Sequence, residues 1–322
     1  MELSRVTLLL FLTSPLGLAV AENVDSNIVC DPPFRDIGRH CLVIDTSIIG
    51  TWDSVRQFCR NLGGELVNMH DANILHDIFS FIKENPILDS ESYWIGAYDI
   101  LDEGKWVWSY NNTHVRMNTP LWGVQSGHQE PTGGVYENCA MLNKDYHYYV
   151  FDDNCDQPNA VICASTKKMA EAQPEEEEKD NTPRRECPSP FIMIGNVCLL
   201  VDALKENPWS EQQMICSALG GHMARIEDAN DLGDLYDYLI ANDVRMDLWM
   251  GGSDLRMEDD WVWENNAKVP MGTPFWGQET RGMQEPAGGL YENCLSLSSV
   301  DFFYFHDDEC QRMKGVVCQY DI

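Results

Sequence analysis

Positive charge is what this chain has least of: its 322 residues include 22 lysines and arginines against 52 aspartates and glutamates. A net charge of −30 repels phosphate backbones and anionic lipid surfaces, which argues against nucleic-acid partners and polybasic-type membrane attachment. Long apolar runs are scarce too. Residues 6–12, behind Arg5, are too few to span a bilayer. With Ala19 and Ala21 before Glu22, they have the layout of a secretory signal over residues 1–21, so a secreted, extracellular chain without membrane insertion is expected. No C-x-x-C pair is present, which removes zinc-ribbon and thioredoxin-type readings. Gly-x-Ser-x-Gly, His-Glu-x-x-His and phosphate-cradling glycine loops are also missing, so an enzyme is not expected.

What is there is cysteine, 12 in all, and in an exported chain an even count points to disulfides. Cys30, Cys41, Cys59, Cys139, Cys155 and Cys163 are followed by Cys187, Cys198, Cys216, Cys294, Cys310 and Cys318 at almost the same spacing. Other landmarks repeat with them. "WIGA" at Trp94 returns as "WMGG" at Trp249, "WVW" at Trp106 returns at Trp261, and "GHQEPTGGVYENC" returns as "GMQEPAGGLYENC". The chain is one unit written twice. Two copies are too few for a solenoid, so each is expected to fold as its own globule. Between them, residues 165–186 hold four consecutive glutamates, two prolines and little that is apolar, the composition of a flexible, charge-extended linker.

Within the first unit, Trp52, Val55, Phe58, Cys59 and Leu62 recur at helical spacing and stop at a Gly pair. Ile74, Leu75, Ile78 and Phe79 predict a second amphipathic helix. Short runs rich in Trp, Val and Tyr follow, separated by Gly, Asn, Asp and Pro, so the pattern is α+β. The tryptophans at 106, 108, 122, 261, 263 and 276 read as core, and His114 and His128 as surface. Asn111, in "NNT", is the sequon for a glycan.

The cysteine order, the "WIGA" and "W-x-W" strands, the Glu-Pro loop, "ENC" and the final paired acids resemble C-type lectin domains of the long, six-cysteine form. The resemblance covers residues 30–164 and 187–320, and a secreted pair of such domains is similar to arthropod, including crustacean, immune lectins. It implies two helices, short antiparallel sheets, a long loop and three disulfides per domain. Cysteine arithmetic alone leaves about 15 connectivities per unit. The family implies Cys30 with Cys41, Cys59 with Cys163 and Cys139 with Cys155, then Cys187 with Cys198, Cys216 with Cys318 and Cys294 with Cys310.

Sugar-binding members use a calcium ion, which takes about 6 to 8 oxygen ligands, and a cis Glu-Pro bond that turns the loop toward it. Carried over by position, Glu130, Pro131, Glu137 and Asp152 match in the first unit, and Glu285, Pro286, Glu292 and Asp307 in the second. The departures are Thr132 and Ala287 in place of the loop Asn, and Phe151 and His306 in place of the Asn before the last Asp. Thr132 still offers a hydroxyl oxygen, while Asp153, Asp308 and His306 are candidates to make up the ligand set. Gly133 and Gly288 replace an auxiliary acid, so no ion is expected there, and at most one calcium is expected per domain. The resemblance implies calcium-assisted glycan recognition at microbial surfaces, with agglutination, in innate immunity. A leading Glu favours mannose-type over galactose-type sugars. The alternative is calcium-independent binding of protein or lipid by degenerate sites.

Overall fold

Helix α1, Trp52–Asn61, starts where the Thr51 hydroxyl accepts the Ser54 N–H (3.4 Å) and stops at Leu62, where Gly63 takes a positive φ of 80°. Of the five residues its spacing predicts, Trp52, Val55 and Cys59 are buried, while Phe58 and Leu62 are half-buried at the edge of the core. Helix α2, Asn73–Lys83, buries Ile74, Leu75, Ile78, Phe79 and Ile82. In the second unit α3, Trp209–Ala218, and α4, Ala229–Ala241, occupy the corresponding places. The computed structural model describes residues 28–167, 186–278 and 282–322. The expected signal, and residues 168–185 of the expected linker, lie outside them.

The first unit's sheet runs β1 (Arg35–Ile37), β2 (His40–Gly50), β10 (Asn159–Ser165), β4 (Tyr93–Tyr98), β8 (Cys139–Asn143) and β9 (Tyr149–Asp153). Strand β3 (Gly64–Leu66) pairs with β10, β5 (Val107–Trp108) pairs with β4, and β6 (Val124–Gln125) with β7 (His128–Gln129) forms a separate ribbon. The second unit repeats the order with β11 (Ile192–Ile194), β12 (Val197–Asn207), β18 (Lys314–Tyr320), β14 (Leu248–Ser253), β16 (Cys294–Ser298) and β17 (Tyr304–Asp308). There β13 (His222–Met223) pairs with β18 and β15 (Val262–Trp263) with β14. The ladders are antiparallel except β10 with β4 and β14 with β18, which are parallel. That pairing follows from bringing the end of each unit back beside its middle.

Six disulfides join the cysteines in the pairs the family implies. Cys59–Cys163 ties α1 to β10 across 104 residues, a closure worth about 4 to 5 kcal/mol against the unfolded chain in the loop-entropy account. The six tryptophans read as core are all buried. Trp52 Nε1 donates to Ile95 O and Trp209 Nε1 to Met250 O, each at 2.8 Å, so the indoles are buried with their polar atom satisfied. Among the described residues no helix is long and apolar enough to cross a membrane.

The units are not separate globules. One continuous apolar core contains α2 of the first and α4 of the second, and the contacts across it are reciprocal. Tyr149 Oη donates to Trp276 O (2.6 Å) and Tyr304 Oη to Trp122 O (2.8 Å), with the two rings 5.0 Å apart. Thr119 Oγ1 donates to Phe302 O (2.7 Å) and Thr273 Oγ1 to His147 O (2.6 Å). A repeated Asp-Ala-Asn completes the set. Asn73 Oδ1 accepts from Ala229 N at the start of α4 (2.8 Å), and Asn230 Oδ1 accepts from Ala72 N at the start of α2 (2.9 Å). Each unit therefore satisfies an otherwise unpaired N–H at the other's helix start. Separate folding was expected because a face that buries a neighbouring unit has the same apolar periodicity as one that buries its own core.

Candidate functional site

The Glu-Pro loop of each unit is hung on the strand beside it. In the first, Gly123 N donates to Val150 O and Glu130 N to Gly123 O, and the Glu130–Pro131 bond is cis. Pairing of β8 with β9 sets Ala140 opposite Asp152, and Asp152 points into the loop. Its Oδ1 accepts from Thr132 N (3.1 Å) and its Oδ2 from Gly133 N (2.8 Å). Thr132 Oγ1 in turn donates to Glu130 Oε2 at 2.8 Å. The second unit has the cis Glu285–Pro286 bond, and Asp307 accepts from Ala287 N (3.0 Å) and Gly288 N (2.7 Å). Asp152 and Asp307 thus hold the loop as well as facing the site.

The glycines that replace the auxiliary acid have a steric reason. A Cβ on Gly133 would lie 2.0 Å from Glu137 Oε2, and one on Gly288 would lie 2.0 Å from Glu292 Oε2. The glutamate before "NC" folds back over the loop in both units, and only glycine leaves it room.

From here the units differ. Glu130 is buried, and burial foremost pushes its pKa up to about 7, with the Thr132 hydroxyl opposing the rise and the hydrogen bond and charge of Asp152 adding to it. Burial raises Glu137, with Asp152 and Asp153 adding to it, and burial also raises Asp153. Every charged neighbour acting on these three is another carboxylate.

In the second unit cations have been built in. His306 Nδ1 lies 3.1 Å from Glu285 Oε1, and its Nε2 lies 2.8 Å from Asp301 Oδ2. Burial alone would lower the His306 pKa, but hydrogen bonds and charge from Asp301 and Glu285 raise it to about 10. Arg312 Nη1 sits 2.8 Å from Asp308 Oδ1, Arg312 Nη2 lies 3.4 Å from Glu292 Oε1, and buried Lys314 pairs with both Asp308 and Asp247. Asp307, beside Glu285, is pushed up to about 6, mainly by burial.

The candidate ligands therefore come together only in part. Glu130, Thr132 and Asp152 form one hydrogen-bonded group, with Glu137 folded over Gly133 next to it. Asp153 follows Asp152 on its strand and its charge acts on Glu137, whereas Asp308 is engaged by Ser296, Arg312 and Lys314. Both ring nitrogens of His306 are held against carboxylates, Glu285 and Asp301. Asn111 lies in the turn after β5, where Thr113 Oγ1 donates to its Oδ1 at 2.7 Å.

Asp99 was missed by sequence reasoning. It is buried, its Oδ2 accepts from Gly104 N (2.8 Å), and its Oδ1 is buried without a partner, as is the Oδ1 of Asp254 in the second unit. Burial raises both pKa values. An Asp at one offset after both "W-x-G" strands was the signal that could have found them.

These features test the fit of a hard cation. Among the described residues no three or more His, Cys, Asp or Glu are gathered closely enough to hold an ion as they stand. The first unit nevertheless fits in charge and donor chemistry, with the buried Glu130 and Asp152, the Thr132 hydroxyl and, among the described residues, only carboxylates as the charged groups acting on Glu130 and Glu137. The second does not fit, because His306 stands against Glu285 and Arg312 against Glu292.

The Lectin C-type domain family matches residues 49–165 and again 205–320. The chain belongs to the C-type lectin family. Its relatives include perlucin of Haliotis laevigata, 26% identical over 41% of this chain and 82% of perlucin. C-type mannose receptor 2 of Rattus norvegicus is 21% identical over 84% of this chain but only 18% of the receptor. Among solved structures it is similar to the mouse scavenger receptor C-type lectin carbohydrate-recognition domain, at 17% identity and a TM-score of 0.35, covering 42% of this chain and 98% of that one. A cow CD23 carbohydrate-recognition domain, solved in the presence of a GlcNAc2Man3 oligosaccharide, is 21% identical with a TM-score of 0.34, covering 42% of this chain and 96% of that one. As a C-type lectin, the chain is a member of a family of carbohydrate-binding proteins that are typically not enzymes.

Proposed function

We propose that this C-type lectin is a secreted, non-enzymatic glycan-binding protein whose first unit takes calcium and a sugar and whose second unit has given up the cation. One observation carries the reading. The equivalent of Glu130 in the second unit has an imidazolium against it, whereas Glu130 has only carboxylates for charged neighbours. Glu130, Glu137, Asp152 and the Thr132 hydroxyl would hold the ion, which when bound offers coordination positions to vicinal sugar hydroxyls. The protein's own groups set the loop, through Asp152, and exclude water from Glu130 by burying it.

Mannose-type sugars are favoured because Glu leads the motif, and the relatedness to a mannose receptor supports that choice. Microbial surfaces are the proposed targets. Agglutination by one chain needs two working sites, so with one cation site it requires more than one copy. Secretion is supported by the disulfides, and Asn111 is the proposed glycan acceptor.

A second reading has its own observation. Both oxygens of Asp152 already accept backbone N–H groups, a loop that needs no ion to hold its shape. That favours calcium-independent binding of protein or lipid. Calorimetric titration of calcium into the intact chain, then of mannose and galactose, separates the two. One calcium per chain, lost in Glu130→Gln and kept in Glu285→Gln, with mannose bound only after calcium, is the expected result. No calcium binding at millimolar concentration, with silence on a glycan array, would overturn it in favour of the second reading.

A further inference from the structure

The core of the contact between the units is symmetric, but its margin is not. Arg116 reaches from the first unit across α4, donating to Asp234 Oδ1 (2.8 Å) and Asp237 Oδ2 (2.7 Å). Gly233 makes room for it, since a Cβ there would fall 2.5 Å from the guanidinium carbon. By sequence correspondence the mirror of Arg116 is Pro270, and the mirror of Gly233 is His76. His76 packs edge-on against Phe275 with its Nδ1 3.0 Å from Thr273 O, so it fills on one side what the guanidinium fills on the other. A second pair behaves alike. Phe79 lies on Gly272, where a Cβ would come within 2.2 Å of the ring, and the mirror of Gly272 is Asn118.

Each of the two possible like pairs then meets a penalty. Two first units would drive Arg116 onto His76 and Phe79 onto the Asn118 side chain. Two second units would set Pro270 over Gly233, leaving Asp234 and Asp237 without their cation and a gap where the guanidinium lies. Contacts that favour one partner and clash with the other are how an interface with a two-fold core is made selective.

We infer that the face built from α2, α4 and the Thr-Pro loops is a pairing surface specific for the unlike unit, so that a first unit recognises a second unit and neither recognises its own kind. The covalent connection raises the effective concentration of the partner but does not choose it. The occupant of each face is the other unit of the same chain, and a second copy finds the face already covered.

The test cuts the intact protein at a specific protease sequence inserted between residues 168 and 185, with disulfides kept oxidised. Native mass spectrometry of the nicked chain is expected to show only the mixed pair. Arg116→Glu is expected to raise the dissociation constant of the fragments by at least about tenfold. Adding Asp234→Arg and Asp237→Arg to it recovers most of that loss, which a merely misfolded variant would not do. Fragments that separate at once, that redistribute into like pairs, or whose affinity ignores Arg116→Glu would overturn the inference.

Discussion

In the first unit Tyr146 stacks on Phe151, ring centroids 4.6 Å apart; at the same two positions the second unit has Asp301 and His306 in an ion pair. Gln157 and Asn159 of the first are Arg312 and Lys314 of the second. The backbone frame is shared down to the cis bonds and the glycines under Glu137 and Glu292. One fold thus carries the same acidic loop with internal cations against it in the second unit and with only carboxylates acting on Glu130 in the first, a difference made by a handful of side chains facing the acids.

The largest expected effect comes from breaking the closed site. His306→Phe leaves Asp301 and Glu285 buried without their cation, a change that costs on the order of 3 to 5 kcal/mol. Chemical denaturation read at the second unit's tryptophans checks it, and a near-silent variant would show that the ion pairs are idle. Transplanting the closure sharpens the comparison from the other side. Tyr146→Asp with Phe151→His is expected to abolish calcium binding by the first unit while leaving the circular dichroism spectrum unchanged. Retained calcium affinity would mean the imidazolium does not exclude the ion.

The two sites also titrate differently. A carboxyl raised on folding contributes stability that is full below its unfolded pKa and lost as pH rises through the folded one. For Glu130 the window runs from about 4.5 to about 7, and for Asp307 from about 3.8 to about 6. His306 follows the same rule from about 6.5 up to about 10. In chelator the unfolding free energy is therefore expected to fall as pH rises from 5 to 8, opposite to the usual carboxylate trend, by roughly 1 to 3 kcal/mol from Glu130, and the melting temperature with it. Calcium is expected to flatten that part of the slope, and Glu130→Gln to remove it. A slope unchanged in Glu130→Gln would assign the effect elsewhere.

The smallest expected effect probes the shared face. Asn73→Ala removes one of two reciprocal caps and is expected to cost about 1 kcal/mol, as is Asn230→Ala. Equal losses would confirm the two-fold core, while a large difference would break it.

Much of this was legible in residues alone. Cysteine spacing, the repeat, both first-unit helices and the buried tryptophans were readable because they depend on local periodicity and on a duplicated pattern that has to satisfy the same core twice. The acidic frame around Glu130 and Glu285 was readable for the same reason. What only tertiary structure decided was which charges meet. Arg312 and Lys314 are near Asp308 in sequence, yet that they close the acids on one face of β17 while Asp307 serves the other depends on strand alternation and on the turn that follows. The joining of the units was invisible for a plainer cause: an apolar face carries no mark of whether its cover comes from its own unit or from the next one.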